Sequence, residues 1–313
     1  MIAPPDGFTV RPATHDDIGS MARLVQAVDL HDEGIVEPVQ THLEDEWANP
    51  LFDPAEDTML ALAPDGSLAG FAVSWGIDPA ASVEGWINVH PAHRAEGLGT
   101  WLVRWAEHRT ARYLTRSGTW TLLRPSVSSG EGRSFLEALG YRQARTFWHM
   151  SRALDGSERP GSTPEDVTIR PYRDGDGRAI HRVLETAFEG HFGSEPMAYD
   201  AWEAANLRAP STQLDLIFLA EREGGDPVGA ITAGFVEEES WVIELGVREE
   251  HRGLGIGRAF LRRVFAELAA RGRTSVKLNV DGENRSGATR LYEQEGMTRG
   301  RSWYFYEKRI GAD

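Results

Sequence analysis

Hydrophobic and polar residues follow two patterns along the chain, one typical of strands and one typical of helices. Short segments in which apolar residues alternate or run together predict strands. Longer segments with apolar residues at i, i+3 and i+4 predict helices that pack on a core. In the first half the predicted strands are FTVRP, TMLALAP, LAGFAVSWG and SVEGWINVH, and the predicted helices are IGSMARLVQAVDL and TWLVRWAEHRTARYL.

The same order of elements returns in the second half. The predicted strands there are VTIRP, LDLIFLAERE, PVGAITAGF, SWVIELGV, TSVKLNV and RSWYFYEKR, and the predicted helices are RAIHRVLETAF, RAFLRRVFAELAARG and RSGATRLYEQEG. Strands that alternate with helices predict an α/β fold with a mixed sheet.

Three pairs of matching segments indicate that the chain contains one unit twice. The separations between the members of the pairs are 159, 158 and 156 residues, so few residues are inserted or deleted between the copies. A period of this length is typical of duplicated domains, because the repeats of a solenoid are much shorter. The pairs are FTVRPATHDD (8–17) with VTIRPYRDGD (167–176), HRAEGLG (93–99) with HRGLGIG (251–257), and EALGY (137–141) with EQEGM (293–297).

The segment between the two copies predicts the domain boundaries. LDGSERPGSTPED (154–166) is rich in Gly, Pro, Ser and charged residues and shows no apolar period, which is typical of a linker. We therefore predict an N-terminal domain at 1–153 and a C-terminal domain at 167–313.

The composition excludes several classes of protein. The 313 residues include no cysteine, which excludes disulfides, cysteine-ligated zinc and a cysteine nucleophile, and favours a cytoplasmic location. No apolar run reaches the length of a membrane span, and MIAPPDGF at the start lacks the order of a signal peptide. The ten histidines show no spacing typical of metal ligands, so we predict no metal site.

The formal net charge is −15, which argues against nucleic acid as a partner. The first 155 residues carry 12 basic and 21 acidic residues, and the remainder carries 21 basic and 27 acidic ones, so neither half hides a basic region. An acidic protein would favour a cationic small substrate electrostatically. The alternative is that the acidic surface serves solubility alone.

Two glycine-rich segments predict a chemical function. HRGLGIGRAF (251–260) and HRAEGLGTWL (93–102) each follow a predicted strand and begin a predicted helix. Amides at the N-terminus of a helix are unpaired, and the helix dipole adds partial positive charge there, so such a junction can bind phosphate. Glycine allows close approach of the phosphate, and arginine can add a charged contact. We call residues 94–99 the first loop and residues 252–257 the second loop.

The residues on either side of the second loop extend this motif. ELGV precedes RGLGIG, a long predicted helix follows it, and Asn284 and Tyr292 stand eight residues apart further on. Together these segments resemble the GNAT superfamily of acyl-CoA-dependent N-acetyltransferases. The resemblance covers essentially the whole chain as two tandem domains, a layout similar to that of the mycothiol synthases. It implies two GNAT-like α/β domains, each with a mixed, mostly antiparallel sheet flanked by helices, and acetyl-CoA as the cosubstrate.

The resemblance also implies how acetyl-CoA would be held. The pyrophosphate would bind the backbone amides of 252–258, and the pantetheine would lie along Leu245–Val247, like an added strand where two sheet strands separate. The implied binding residues are Leu245, Gly246, Val247, Arg252, Gly253, Leu254, Gly255, Ile256, Gly257, Arg258 and Asn284. Their counterparts in the first domain are Val89, Arg94, Ala95, Glu96, Gly97, Leu98, Gly99 and Thr100.

Two residues are candidates for acid–base chemistry. Tyr292 occupies the position of the family's general acid, and a phenol is a suitable proton donor to a leaving thiolate. The alternative is a half-buried aromatic residue on an amphipathic helix. Glu244 is the candidate base, and a strict period of two would place Val242 and Gly246 on its side of the strand; the alternative is a solvated or ion-paired residue. Asn284 either caps the helix of Tyr292 or contacts pantetheine.

The first domain lacks the candidate acid. Alignment of EALG with EQEG places Leu136 opposite Tyr292 and Ser128 opposite Asn284, and leucine cannot donate a proton. Trp86 stands opposite Glu244, with Glu84 two residues earlier. We therefore expect no catalysis in this domain, which either binds acetyl-CoA or is a structural relic.

The segment 187–207 is the candidate acceptor site. It combines aromatic residues with acids, a mixture that could line a cleft for an amine with an apolar body. The alternative is a pair of amphipathic helices that pack on the sheet. His191 is a weaker candidate for a second base. The predicted substrate-binding residues are Glu189, Phe192, Tyr199 and Trp202, and the same segment contains Phe188, Glu195 and Asp200.

These features predict an enzyme. We expect a cytoplasmic acetyl-CoA-dependent N-acetyltransferase, monomeric or homodimeric, whose C-terminal domain transfers the acetyl group to a primary amine of a small molecule by direct attack. The acceptor could be a cysteinyl aminosugar, as in mycothiol synthesis, or an antibiotic-like polyamine or aminoglycoside. The alternative from another class is a non-catalytic acyl-CoA-binding sensor.

Overall fold

The structure, a computed structural model, describes residues 3–36, 39–49, 52–76, 82–112, 120–194, 196–209, 212–236, 238–284 and 286–311. The chain divides into two compact units. The first unit combines the residues up to Arg145 with those from Trp303 onward, and the second unit comprises Thr146–Ser302.

The first unit follows the strand and helix order of one copy of the repeat. Its strands are β1 (Thr9–Arg11), β2 (Thr58–Leu62), β3 (Leu68–Trp75), β4 (Ser82–Val89), β5 (Trp120–Val127) and the start of β6 (Arg142–Ala153). Its helices are α1 (Ile18–Glu33), α2 (Gln40–Ala48), α3 (Pro54–Asp57), α4 (Leu98–Ala111) and α5 (Gly130–Ala138).

The second unit repeats this order. Its strands are β7 (Val167–Pro171), β8 (Phe218–Arg222), β9 (Pro227–Val236), β10 (Glu239–Val247), β11 (Ser275–Asp281) and the start of β12 (Thr298–Gly311). Its helices are α6 (Gly177–Phe188), α7 (Tyr199–Asn206), α8 (Ile256–Ala270) and α9 (Ala288–Gln294).

Each unit is built on a mixed sheet in which, among the described residues, one pair of neighbouring strands is parallel and the other pairs are antiparallel. In the first unit β1, β2, β3 and β4 pair antiparallel in sequence, and β4 then pairs parallel with β5. In the second unit β7, β8, β9 and β10 pair antiparallel, and β10 pairs parallel with β11. The predicted α/β fold, with mostly antiparallel sheets flanked by helices, is confirmed.

The compact units depart from the predicted domain boundaries at both ends. Residues 147–153 of β6 pair antiparallel with β11 and belong to the second unit, whereas residues 304–311 of β12 pair antiparallel with β5 and belong to the first. Sheet pairing, and not chain order, decides which unit a strand joins. Each unit therefore contains a strand from the other half of the sequence, a feature that the matching segments did not indicate. Residues 154–166, the predicted linker, contain neither helix nor strand.

Helices cover both faces of each sheet. In the first unit α4 packs on one face through residues such as Leu102, and α1 packs on the other through residues such as Met21. In the second unit α8 contributes Phe260 to one core and α6 contributes Leu184 to the other. The apolar stripes that predicted these helices are the surfaces that they bury.

Short elements between the matching segments were not predicted. No expectation covered α2, α3, β5 or α5, and the predicted strand LDLIFLAERE begins as a 3-10 turn at Leu214–Leu216 before β8. Among the described residues, no helix combines the length and the apolar character that crossing a bilayer requires.

Close packing between β9 and α8 gives the first prediction. A Cβ atom at Gly229 would lie 2.9 Å from the Phe260 ring and 3.2 Å from the Gly246 carbonyl oxygen. We expect Gly229→Ala to lower the free energy of unfolding by about 1–3 kcal/mol, because overpacking forces its neighbours to move. Urea denaturation would measure the change.

Gly130→Ala is the matched control. A Cβ atom there meets no other atom within 4 Å, and Gly130 begins α5. Alanine at that position should leave stability unchanged or raise it by a few tenths of a kcal/mol. Equal effects of the two substitutions would contradict the packing argument.

Candidate functional site

The parallel pair of strands in the second unit separates after one contact. Trp241 of β10 pairs with Lys277 of β11, and among the described residues the register between these strands extends no further. Of the described strands, β9 is the only one that pairs with β10 beyond Trp241, toward Val247. The edge of β10 that faces away from β9 thus leaves backbone N–H and C=O groups available to an extended ligand.

A β-bulge in β10 sets the direction of Glu244. The register shifts between Val242 and Glu244, with Ile243, 58% exposed, as the extra residue. A bulge breaks the alternation of side chains, so the prediction that Val242 lies on the side of Glu244 is wrong. Val242 is buried in the core beneath α8.

Glu244 instead shares a face with Gly246. Glu244 lies opposite Thr232 and Gly246 opposite Ala230, two positions apart on β9. A Cβ atom at Gly246 would lie 2.9 Å from Ala187, so this face is the one beneath α6. The backbone N–H of Glu244 donates to Thr232 Oγ1 at 3.1 Å, which fixes the strand at the bulge.

Burial changes the acidity of Glu244. Its side chain is half-buried, and its Oε2 atom has no hydrogen-bond partner among the described residues. Burial raises the pKa of Glu244 to about 7. A carboxyl group with a pKa near neutrality can both accept and release a proton at physiological pH.

The second loop has the geometry of an anion site. Gly253 and Gly255 adopt positive φ angles of 79° and 90°, and Gly255 is the N-cap of α8. A Cβ atom at either glycine would meet nothing within 4 Å, so the space above the loop is open. The first amides of α8 point into this space, where the dipole of a 15-residue helix favours negative charge.

Arg252 holds the second loop in place through hydrogen bonds to the backbone. Its guanidinium group donates to the carbonyl oxygen of Val247 at 3.1 Å and to that of Ala187, near the end of α6, at 3.0 Å. Among the described residues it has no carboxylate partner. Arg258, one turn into α8, pairs with Glu295 at 3.0 Å.

The edge of β10 and the second loop border one cleft of about 340 Å³. Of the predicted residues, ten cofactor-binding residues and Tyr292 line it. Leu254 does not and is 54% exposed, and Glu244 is not among the lining residues. Three further lining residues, Ala187, Phe188 and His191, belong to the candidate acceptor segment 187–207. Five others were not predicted, although most adjoin predicted ones in sequence: His251, Ser286, Gly287, Ala288 and Leu291.

Tyr292 reaches the cleft from α9. Only 8% of its surface is exposed, and it packs in the core that also contains Phe260. Burial raises the pKa of Tyr292 to about 12, so the phenol stays protonated at neutral pH. Such a group can donate a proton but cannot act as a base there.

Asn284 shapes the entry to α9. Its Oδ1 atom accepts a hydrogen bond from the backbone N–H of Ser286 at 2.7 Å, and the N-cap of α9 is Gly287. Asn284 therefore closes a turn just before the helix and also lines the cleft.

The predicted acceptor residues are not part of this cleft. Trp202 is buried in the core with α6, and Tyr199 packs against the same core and donates to Glu203 at 2.6 Å. Phe192 packs against Phe147 with their rings tilted by 52° and their centroids 6.3 Å apart, and Glu189 is exposed. The arrangement of α7 matches the alternative of helices that pack on the sheet. Glu195 lies outside the described residues.

Two other residues of that segment do line the cleft. Phe188 and His191 border it, with ring centroids 5.4 Å apart in an edge-to-face arrangement. The Nδ1 atom of His191 is buried and has no hydrogen-bond partner among the described residues. An apolar ring beside a polar nitrogen is a common feature of small-molecule sites.

The family model of the acetyltransferase (GNAT) family matches residues 24–121 and 178–297, one match in each half of the chain. The chain belongs to the GNAT acetyltransferase family. The resemblance that the second loop indicated is therefore confirmed, and the protein is an acyltransferase.

Curated relatives share this assignment over most of their length. The chain is 32% identical to a mycothiol acetyltransferase of Thermomonospora curvata, covering 91% of this chain and 92% of that protein. It is 30% identical to a mycothiol acetyltransferase of Salinispora arenicola, covering 79% of this chain and 80% of that one.

Solved structures agree with the tandem GNAT fold. A GCN5-related N-acetyltransferase from Sphaerobacter thermophilus superimposes with a TM-score of 0.82 at 29% identity, covering 99% of this chain and 98% of that one. A tandem GNAT protein from the clavulanic acid biosynthesis pathway gives a TM-score of 0.72 at 14% identity, covering 98% and 99%, which supports the fold alone.

The first GNAT unit keeps the backbone of its loop. Ala95 and Gly97 adopt φ angles of 63° and 81°, close to those of Gly253 and Gly255, and Gly97 is the N-cap of α4. Leu136 is buried where the second unit has Tyr292.

The other predicted residues of the first loop are distributed around this backbone. Arg94 pairs with Asp32. Leu98 is buried, Val89 packs against the core of α4, and Glu96 and Thr100 are exposed. A Cβ atom at Gly99 would lie 3.3 Å from Phe135.

The high pKa of Glu244 predicts a pH-dependent stability. The folded-state pKa of about 7 lies above the ordinary value of 4.5, so folding favours the protonated carboxyl group. This contribution is complete below pH 4.5 and is lost as pH rises through 7. Between pH 5.5 and 8, we expect the wild type to lose about 1 to 2 kcal/mol of stability relative to Glu244→Gln.

Urea denaturation of both proteins at a series of pH values would measure this difference. Glu46 of the first unit also has a pKa raised to about 7, chiefly by burial, but it is present in both proteins and cancels. Parallel stability curves for wild type and Glu244→Gln would show that Glu244 has an ordinary pKa.

Proposed function

We propose that the second unit transfers an acetyl group from acetyl-CoA to a primary amine of a small molecule. The observation that carries this proposal is the single cleft bordered by an anion-binding loop, an open strand edge and a buried tyrosine. GNAT membership supports acetyl-CoA as the donor.

The residues of the cleft fit the parts of this donor. The amides at the start of α8 and the open space above Gly253 and Gly255 suit a pyrophosphate. The edge of β10 at Leu245–Val247 pairs with no strand on this side among the described residues, although the Val247 carbonyl accepts a hydrogen bond from Arg252. This edge suits the two amides of pantetheine, which would pair with it as an added strand. A thioester at the end of this path would lie between β10 and Tyr292.

Glu244 and Tyr292 would carry the protons. Glu244 takes a proton from the substrate ammonium, directly or through water, and the free amine nitrogen attacks the thioester carbonyl carbon. The new C–N bond forms, the C–S bond breaks, and Tyr292 donates its proton to the departing sulfur. The second proton of the nitrogen replaces the one that Tyr292 gave, and Glu244 releases its proton to solvent.

The first unit would take no part in this chemistry. Leu136 replaces the proton donor, and Trp86 stands where the second unit has Glu244. A hydrocarbon and an indole cannot exchange the two protons that transfer requires. We therefore assign catalysis to the second unit alone.

Two observations bear on the chemical class of the acceptor amine. The similarity to mycothiol acetyltransferases over most of the chain favours a cysteinyl aminosugar acceptor. The acidic balance of the protein would equally attract a cationic amine such as a polyamine or an aminoglycoside. Phe188 and His191 at the cleft offer an apolar and a polar contact to either.

The role of Tyr292 predicts a specific kinetic change. We expect Tyr292→Phe to lower kcat by about 100- to 1,000-fold with little change in the KM for acetyl-CoA, because only the proton donor is lost. Release of free CoA would measure the rate. Leu136→Met in the first unit is the control and should leave kcat unchanged. A Tyr292→Phe enzyme with the wild-type rate would refute the assignment.

An acceptor screen separates an enzyme from a binding protein. We expect at least one amine among a cysteinyl aminosugar, a polyamine and an aminoglycoside to stimulate CoA release. We expect Glu244→Gln to lower that rate most between pH 7 and 8, where the Glu244 carboxylate is largely ionised. Tight acetyl-CoA binding without CoA release for all acceptors would instead support a non-catalytic sensor.

A further inference from the structure

The arginines of the two loops have different partners. Arg252 of the second loop donates to two backbone carbonyl groups and leaves its positive charge without a carboxylate among the described residues. Arg94 of the first loop instead forms two parallel hydrogen bonds to Asp32, with Nη1–Oδ1 and Nη2–Oδ2 distances of 2.7 and 3.0 Å. Bidentate pairs of this kind are the strongest contacts that a guanidinium group makes with a carboxylate or a phosphate.

The different partners arise from the lengths of two helices. α1 and α6 begin at equivalent positions, 159 residues apart, but α6 ends at Phe188, whereas α1 continues one turn past the counterpart of that residue, Asp29, to Glu33. Asp32 lies in this additional turn, at the position that corresponds to His191. In the second unit the carbonyl of Ala187 is left free by the end of the helix and receives Arg252. In the first unit the continuing helix uses the equivalent carbonyl, and Asp32 receives the arginine.

The pair is well shielded. The side chains of Arg94 and Asp32 are 27% and 11% exposed. Burial acts to raise the pKa of Asp32, but hydrogen bonds from Arg94 and His31 outweigh it and hold the pKa below its usual range. Asp32 is thus ionised at neutral pH, and it neutralises Arg94.

Other differences in charge around the first loop also disfavour the binding of an anion there. Glu131 at the start of α5 lies 3.4 Å from Arg94, where the second unit has Gly287. Glu96 occupies the position of Leu254, and Thr100 replaces Arg258. Among the described residues that line the cleft of the second unit there is no Asp or Glu, whereas His251, Arg252 and Arg258 are present.

We propose that Asp32 occupies the anion position of the first loop, so that the protein binds one acetyl-CoA per chain, in the second unit. The inference rests on the proposed cofactor site of the second unit. A pyrophosphate at the first loop would face the carboxylates of Asp32 and Glu131, and the arginine of that loop is already neutralised by Asp32. The Arg94–Asp32 pair joins the first loop to α1.

Calorimetric titration of the full chain with acetyl-CoA tests this proposal. We expect a stoichiometry of one for the wild type and no binding for Arg252→Glu. Asp32→Asn removes the charge but keeps the shape, and Asp32→His copies the residue of the second unit; each should add a second, weaker site and raise the stoichiometry to two. That second site should persist when Arg252→Glu is combined with either substitution.

Asp16→Asn is the matched control, because it removes one exposed acidic group just before α1 and leaves Arg94 paired. It should keep a stoichiometry of one. Near-ultraviolet circular dichroism would confirm that each variant is folded, and the rate of CoA release should be unchanged in the Asp32 variants, since Asp32 lies outside the catalytic unit.

The outcomes separate this inference from the proposed function. Two sites in the wild type, one of which survives Arg252→Glu, would overturn the inference and leave the proposed function intact. A single wild-type site that survives Arg252→Glu would overturn both, because the cofactor would then bind at the first loop. Folded Asp32 variants that still bind only one acetyl-CoA would also contradict the inference, because they would show that Asp32 does not prevent binding at the first loop.

Discussion

The candidate site depends on the point at which β10 and β11 stop pairing. Parallel strands normally satisfy each other's backbone groups along their length, but here the register extends over one pair, Trp241 with Lys277. Beyond that pair, β10 keeps a free edge that ends at the second loop, and α9 brings Tyr292 to the other side of the opening. The open edge of β10, the second loop and Tyr292 thus meet where the sheet is interrupted. The bulge at Ile243 lies at the same place and turns Glu244 toward α6.

On our proposal, few changes separate the unit that binds acetyl-CoA from the unit that does not. Both keep a glycine at the N-cap of the helix after the loop, and both keep the arginine. One additional helical turn in α1 supplies Asp32 as the partner of Arg94, and Leu136 stands where the second unit has Tyr292. Because the strands and the loop backbone contribute to the stability of the unit, they persist whether or not a ligand is bound. A sequence motif for phosphate binding is therefore evidence for a backbone shape first and for a ligand only second.

Much of the fold and part of the site could be predicted from the sequence. The strands, the long helices and the lining role of the second loop follow from local patterns, since glycine spacing and apolar period act over a few residues. Tyr292 was identified through the resemblance to the GNAT superfamily. The prediction that Val242 lies on the same face as Glu244 was wrong, because a period of two holds only in a regular strand. No local pattern in the sequence predicts the bulge. Tyr199 and Trp202 were assigned to the cleft by composition, which cannot distinguish a ring in a core from one in a site. The partner of Arg94 is 62 residues away, and such a contact is beyond any local pattern.

Each unit contains a strand from the other half of the sequence, and this affects the order in which the units can fold. β5 of the first unit pairs on one side with β4 and on the other with residues 304–311, which are synthesised after all the other strands of both units. Until then, the first unit has an open edge at β5, where unpaired N–H and C=O groups can recruit other strands. The order is reversed in the second unit, because the strand that it takes from the first half of the sequence, residues 147–153, is synthesised before its other strands. The duplicated halves, so alike in sequence, would therefore differ in the order of their assembly: the half that is synthesised first is the one that is completed last.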